Sequence, residues 1–253
     1  MRMMDEYIFN TWVLVWIGIA FMAFIASRLI TAPYGRHSSK KWGRSIPNKW
    51  GWVIMEIPAL VLTPLLYIYS GQYHLVATIM VSLWVVHYVH RTLVFPFQIK
   101  TKGKMMPLAI ALMAVVFNGG NGILNGYWFA HYADYSVDYL YSPRFVIGAS
   151  LFLIGLVINI QSDYRLIHLR KPGETGYKIP NQGLFKYISC PNHFGEIMEW
   201  LGFAIAVASL PAWSFFVWSA ANLIPRALSH HQWYQKTFED YPRNRKAIFP
   251  GLF

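Results

Sequence analysis

Long apolar spans separated by short polar connections set the pattern of this chain. A membrane-spanning helix needs about 20 mostly apolar residues, and seven stretches reach or approach that length. They cover residues 8–30, 50–70, 74–97, 106–129, 144–164, 192–209 and 212–231. The pattern predicts an all-α polytopic membrane protein with seven transmembrane helices. The first span is too long for the apolar region of a cleaved signal peptide and is read as a helix that stays. No internal repeat, low-complexity tract or long linker interrupts the pattern, so residues 1–253 are read as a single membrane domain.

The polar connections alternate in charge. The first carries Arg36, Lys40, Lys41, Arg44 and Lys49, and the third carries Lys100, Lys102 and Lys104. The fifth, RLIHLRKPGETGYKIPNQGLFKYISCP, is the longest and is rich in Arg, Lys, Gly and Pro. The second and sixth lack Lys and Arg, and the fourth has only Arg144 at its edge. This asymmetry predicts an N-terminus outside and a C-terminus in the cytosol. The tail, QWYQKTFEDYPRNRKAIFPGLF, is expected at the interface, with its aromatics among lipid headgroups.

Composition supports a membrane protein. Hydrophobic residues make up 55% and charged residues 13%, against roughly 25% charged in soluble domains. The net charge of +11 sits in short runs between apolar spans. Membrane lipids, not nucleic acid, are therefore the expected partners of that charge. The single cysteine, Cys190, excludes an intrachain disulfide and suggests no cysteine-based metal site.

Polar side chains inside the spans are where chemistry is expected, because they are costly there. Glu56 lies about six residues into the second span, roughly 9 Å from its cytosolic end. Tyr88 lies at comparable depth, about nine residues or roughly 14 Å from the cytosolic end of the third. Asn159 and Asp163 share a face of the fifth span. Asn192, Glu196 and Glu199 share a face at the start of the sixth. Asn222, Arg226, His230 and Tyr234 step by four along the end of the seventh and beyond. A cavity open to the cytosol accounts for all of these. It would take a polar ligand from below and an apolar ligand from the lipid.

Plainer readings stand beside this one. Arg226 and Arg91 are also placed to snorkel to the interface. Asn118, Asn121 and Asn125, set among glycines, also read as amides that glue close-packed helices. The acids of the sixth span also suit a helix N-terminus. A protonated Glu56 also suits a bond to the Ile54 carbonyl, which Pro58 deprives of its usual donor. His87, His90, His230 and His231 lie at helix ends without evident convergence, and no metal is expected.

The chain resembles the steroid 5-alpha-reductase (3-oxo-5-alpha-steroid 4-dehydrogenase) family, and a bacterial-type member is expected. The resemblance rests on NIQSDYRLIHLRKPGETGYKIPNQGLFKYISCPNHFGEIMEW at 159–200 and RALSHHQWYQKTFEDYPRNRKAIFPGLF at 226–253. It extends upstream through YGRH at 34–37, EIP at 56–58, HYVHRT at 87–92 and GNG at 120–122. The resemblance implies a seven-helix membrane enzyme that uses NADPH to reduce the C4–C5 double bond of a 3-oxo-4-ene steroid. Matched by motif, Glu56 and Tyr88 are the catalytic pair that polarises the 3-oxo group. Hydride would reach the beta carbon, the pair would stabilise the enolate, and protonation would follow. The implied cofactor-binding residues are Asn159, Asp163, Arg170, Tyr177, Asn192, Glu196, Arg226, His230 and Tyr234. Trp52 and Phe117, with Glu56 and Tyr88, are the implied steroid contacts. The cofactor site is expected to face the cytosol, and no protein partner is expected. Lys178 stands where an Arg is familiar, Phe95 where a Tyr can occur, and Asn118 and His193 also depart from the family pattern.

Two other classes share some of these features. A membrane methyltransferase of the isoprenylcysteine type has a similar C-terminal layout. It carries an Arg-His-Pro-x-Tyr motif, whereas this chain has SCPNHFGE, and it leaves Glu56 and Tyr88 without a role. A proton-coupled transporter would use the intramembrane carboxylates, but it favours internal repeats.

Overall fold

The computed structural model describes residues 4–33, 35–37, 42–100, 103–171, 173–174 and 176–252. Lys40, Lys41 and Lys102 of the basic connections, and Tyr34, Pro172, Thr175 and Phe253 of the quoted motifs, lie outside these residues.

Among the described residues, five helical segments are long and apolar enough to cross a membrane, as expected of an integral membrane protein. They are α1 (Glu6–Leu29), α2 (Asn48–Ser70), the segment Leu75–Gln98, α5 (Leu108–His131) and α6 (Pro143–His168). The segment Leu75–Gln98 is not uniform. It comprises α3 (Leu75–Val89), a wide π-helical turn (His90–Val94) and α4 (Phe95–Gln98). Two further helices, α7 (Pro191–Val207) and α8 (Leu210–Thr237), complete the bundle. Neither meets the same measure: α7 has 17 residues, and α8 ends in polar turns.

Local chemistry sets the helix ends. Asp5 caps α1 by accepting from the amides of Tyr7 and Ile8, at the end where negative charge is favoured. Ser142 and Ser209 cap α6 and α8, each followed by a proline within the first turn. Gly71 closes α2 in the left-handed conformation, φ 68°. A short antiparallel ribbon pairs β1 (Ser45–Pro47) with β2 (Met105–Pro107). It sits at the starts of α2 and α5 and marks one end of the bundle, called the ribbon end below.

Small residues set the two closest helix pairs. α2 and α5 run parallel and in step: Gly122 packs on Ala59, and Gly126 lies against Thr63. The Thr63 hydroxyl donates to the Gly122 carbonyl at 3.1 Å. α6 and α7 run antiparallel, with backbone against backbone. A Cβ added at Gly148 would lie 2.5 Å from the Ala206 nitrogen, and one at Gly155 would lie 2.5 Å from the Gly195 carbonyl. One at Gly195 would meet the Asn159 nitrogen at 2.6 Å, and one at Gly202 the Gly148 carbonyl at 2.5 Å. Side chains at these positions would force the helices apart.

The aromatic core fills the space between the pairs. Trp84, Trp200, Phe203 and Phe215 are fully buried, and the last three each pack on Trp84. The Trp84 indole donates to the Ala59 carbonyl at 2.8 Å, as a buried indole N–H requires.

The tail departs from expectation. Its first residues continue α8 to Thr237, and the remainder docks on the segment before α7. Lys246 donates to the Tyr187 carbonyl at 2.9 Å, and Ser189 donates to the Lys246 carbonyl at 2.8 Å. Tyr241, Ala247 and Ile248 are buried against the protein and do not face outward. Backbone pairing and apolar burial hold the tail more firmly than an interfacial position would.

Candidate active site

The polar residues gather at the ribbon end, where α2, α3, α5, α6, α7 and α8 converge. The α6–α7 seam fixes one wall. Backbone contact between Gly155 and Gly195 brings Asn159 opposite Glu196, and Asp163 opposite Asn192. Asn159 donates to Glu196 at 3.3 Å and to the Asn192 carbonyl at 3.0 Å, and Asn192 donates to Asp163 at 2.9 Å.

Arg91 closes this wall from α3's wide turn. It donates to Asp163 at 3.0 Å and to Glu196 at 3.3 Å, with its side chain 10% exposed. Its guanidinium lies over the rings of Trp52 at 5.0 Å and Phe95 at 4.8 Å. The snorkelling alternative for Arg91 is therefore corrected: two acids and two aromatic faces hold it inside the protein. A π turn adds a residue to one helical turn and commonly marks a functional position. Here it lies between Tyr88 and Phe95 and contains Arg91.

A cavity of about 280 Å³ opens beside Arg91. Trp52, Asp163, Arg170, Asn192, Arg226 and His230, all named from the sequence, line it. Glu56, Tyr88, Phe117, Asn159, Tyr177, Glu196 and Tyr234 do not line it. Tyr177 and Tyr234 stand one layer away, around Arg36, whose guanidinium lies 5.6 and 4.5 Å from their ring centres. Trp233 forms the third face, at 4.8 Å. Phe117 packs on Phe215 and Trp218, within the apolar core.

His230 meets His37 at 3.0 Å between ring nitrogens, with the rings stacked. Burial, with Arg226 and Arg36 nearby, lowers the His37 pKa to about 4. The ring is therefore neutral at pH 7. Lys178 does not line the cavity: its ammonium is 2.6 Å from Glu174. That bond, with the Lys171 amide, holds the Glu174 carboxyl below its ordinary range.

Glu56 and Tyr88 are both buried, and they communicate through a third residue. The Asn118 amide nitrogen is 3.1 Å from Glu56 Oε2, and its oxygen accepts from the Tyr88 hydroxyl at 3.4 Å. α5 thus inserts an amide between Glu56 of α2 and Tyr88 of α3. Glu199 leaves the shared acidic face to pair with His87 at 2.8 Å, deep in the aromatic core. Asn121 accepts from the Trp16 indole at 3.2 Å, and Asn125 donates to the Pro211 carbonyl at 3.4 Å. Those two amides do bind helices together.

Sequence reasoning assigned no role to Arg36 or His37, although YGRH is one of the family-like motifs. It also missed Arg91 as the hub of the acidic wall.

Comparison with known proteins gives a consistent result. The profile of the family described as 3-oxo-5-alpha-steroid 4-dehydrogenase matches residues 104–253. The chain is 40% identical over 257 residues to 3-oxo-5-alpha-steroid 4-dehydrogenase 1 of Bos taurus, covering 100% of both proteins. It is 42% identical over 254 residues to the steroid 5-alpha-reductase DET2 of Solanum lycopersicum, covering 98% of each. It is also 42% identical over 233 residues to 3-oxo-5-alpha-steroid 4-dehydrogenase 1 of Homo sapiens, covering 91% of the chain and 90% of that protein.

Proposed function

This chain belongs to the steroid 5-alpha-reductase family, and we propose that it reduces the C4–C5 double bond of a 3-oxo-4-ene steroid or related enone lipid with NADPH. The observation that carries this reading is the buried chain Glu56–Asn118–Tyr88 beside a cavity lined by Arg170 and Arg226. When bound, the cofactor supplies a hydride to the beta carbon of the enone. As that bond forms, negative charge develops on the 3-oxo oxygen. A donor aimed there stabilises the transition state more than the ground state. The Tyr88 hydroxyl is that donor, and Glu56 supports it. The alpha carbon then takes a proton, which completes the saturated ketone.

The residues around the cavity fit a dinucleotide. Arg170 and Arg226 offer charge-assisted bonds to phosphates. Behind the cavity wall, the Asn159 side-chain oxygen is buried with no hydrogen-bond partner among the described residues, an acceptor for a donor that reaches past that wall. Tyr177 and Tyr234, with Arg36, form an aromatic and cationic layer behind the cavity wall. Trp52, whose ring lies 5.0 Å from the Arg91 guanidinium, is the apolar side chain proposed to meet the steroid.

Purified enzyme given NADPH and a 3-oxo-4-ene steroid is expected to consume NADPH absorbance in step with steroid loss, with NADH much slower. Arg170→Ala is expected to raise the NADPH KM by about tenfold, the share of one charge-assisted bond, and to leave the steroid KM nearly unchanged. Equal use of NADH and NADPH, or binding of S-adenosylmethionine instead, would count against this reading.

The same reading takes residues 1–253 as one domain of seven spans, with the N-terminus outside and the ribbon end in the cytosol. The Lys and Arg asymmetry of alternate connections supports it. In a Cys190→Ser background, single cysteines at Ser136 and Lys186 are expected to react with an impermeant reagent from opposite sides. Reaction from one side would rule the map out.

A further inference from the structure

Asn118 lies between the two members of the proposed donor pair and is itself 3% exposed. Its amide nitrogen is 2.6 Å from the Met55 carbonyl and 3.1 Å from Glu56 Oε2. Its amide oxygen is 3.4 Å from the Tyr88 hydroxyl. A backbone carbonyl can only accept, so the group that faces Met55 must be the NH2. Both of its hydrogens are then committed, one to Met55 and one to Glu56. The amide oxygen faces Tyr88 and can only accept, so the hydroxyl donates toward it. A single main-chain carbonyl thereby sets the direction of hydrogen bonding along three side chains.

The helix register makes this arrangement. α2 and α5 advance in step through Ala59 with Gly122 and Thr63 with Gly126. One turn earlier, the same register brings Asn118 against Met55 and Glu56. Glycines at 122 and 126 let the backbones approach closely enough for a short side chain to bridge them.

We infer that Asn118 is a positioning residue for the reduction, orienting the Tyr88 hydroxyl and holding one oxygen of the Glu56 carboxyl before substrate arrives. This rests on the reading of Tyr88 as the donor given above. The 3.4 Å bond is long beside the ~2.7–2.8 Å usual for a hydroxyl donating to oxygen. A hydroxyl held this weakly turns to a stronger acceptor with little loss, and an oxygen developing enolate charge is one. The amide bond to Glu56 Oε2 also fixes the orientation of that carboxyl. Asn118 is thus a resting acceptor for the proton-bearing hydroxyl and an orienting donor to the carboxyl.

The test is a double-mutant cycle on the full-length enzyme in detergent or nanodiscs. Asn118→Leu keeps the size and removes every hydrogen bond. It is expected to lower kcat by about three- to tenfold, one hydrogen bond's share of transition-state stabilisation. The steroid KM and NADPH Kd should stay within about twofold, since the residue acts on the barrier and not on ground-state binding. In a Tyr88→Phe background the same substitution should change kcat by less than about twofold, because Asn118 acts through the hydroxyl. An equal factor in both backgrounds would overturn the inference and leave Tyr88 standing as donor. So would a KM defect with unchanged kcat. Normal turnover in Tyr88→Phe alone would instead remove the donor reading, and this inference with it. Asn118→Ala runs through the same cycle if the leucine variant fails to accumulate.

Discussion

Tyr88→Phe is expected to lower kcat by about 10²–10³, the effect of removing one donor from a site that stabilises an oxyanion. The substitution removes one oxygen atom and keeps the ring, which packs against Trp84 at 5.0 Å and Trp200 at 5.9 Å. The fold should therefore be retained, and NADPH should bind as before, because Tyr88 does not line the cavity. Single-turnover rates with preformed enzyme–NADPH check this and separate chemistry from product release. Glu56→Gln is the companion variant, with a carboxamide in place of the acid. If the two groups act as a unit, the double variant should be little slower than the worse single one. Near-normal turnover in Tyr88→Phe would sink the assignment of the donor.

The second large effect is expected at Arg91. Arg91→Met keeps a long side chain between Trp52 and Phe95 but leaves Asp163 and Glu196 without their shared cation. Breaking a buried pair by removing one partner destabilises by about 3–5 kcal/mol. A thermal melt in detergent should show a clearly lower transition, and apparent NADPH affinity should fall because Asp163 lines the cavity. Asp163→Asn in the same chain should restore part of the lost stability by removing the uncompensated charge. Arg91→Lys should fall between the two, since an ammonium keeps the charge but not the fork that reaches both acids. An unchanged melting transition in Arg91→Met would show that the ion pairs add nothing to the fold.

Five of the seven expected spans were legible because about twenty mostly apolar residues in a row have few other readings. Their ends were less so: α6 runs on to His168 and α8 to Thr237, since polar turns can continue a helix beyond its apolar span. The π turn was invisible, because one extra residue in a turn leaves no mark on composition. Arg91 was left open between two readings for a related reason. Its depth along the helix was readable, but the face it presents depends on acids 72 and 105 positions away in the chain. Asp163, Asn192 and Glu196 stood out because a polar side chain in an apolar helix needs a partner. Asn118 was read as helix glue, and its bond to the Met55 carbonyl is glue. Its contacts with Glu56 and Tyr88 come from the register of α2 against α5, which no single span encodes.

The glycine seam between α6 and α7 bears on how the enzyme moves. Helices usually slide by small shears in which side chains swap neighbours. These two have backbone where such side chains would be, so sliding would drive peptide groups into one another. They behave as one plank, with Asn159, Asp163, Asn192 and Glu196 fastened to it. A dinucleotide that needs more space than about 280 Å³ must gain it from the opposite bank: the Gly35–His37 turn and the end of α8. Any widening of this site is expected on that one side, above a fixed floor.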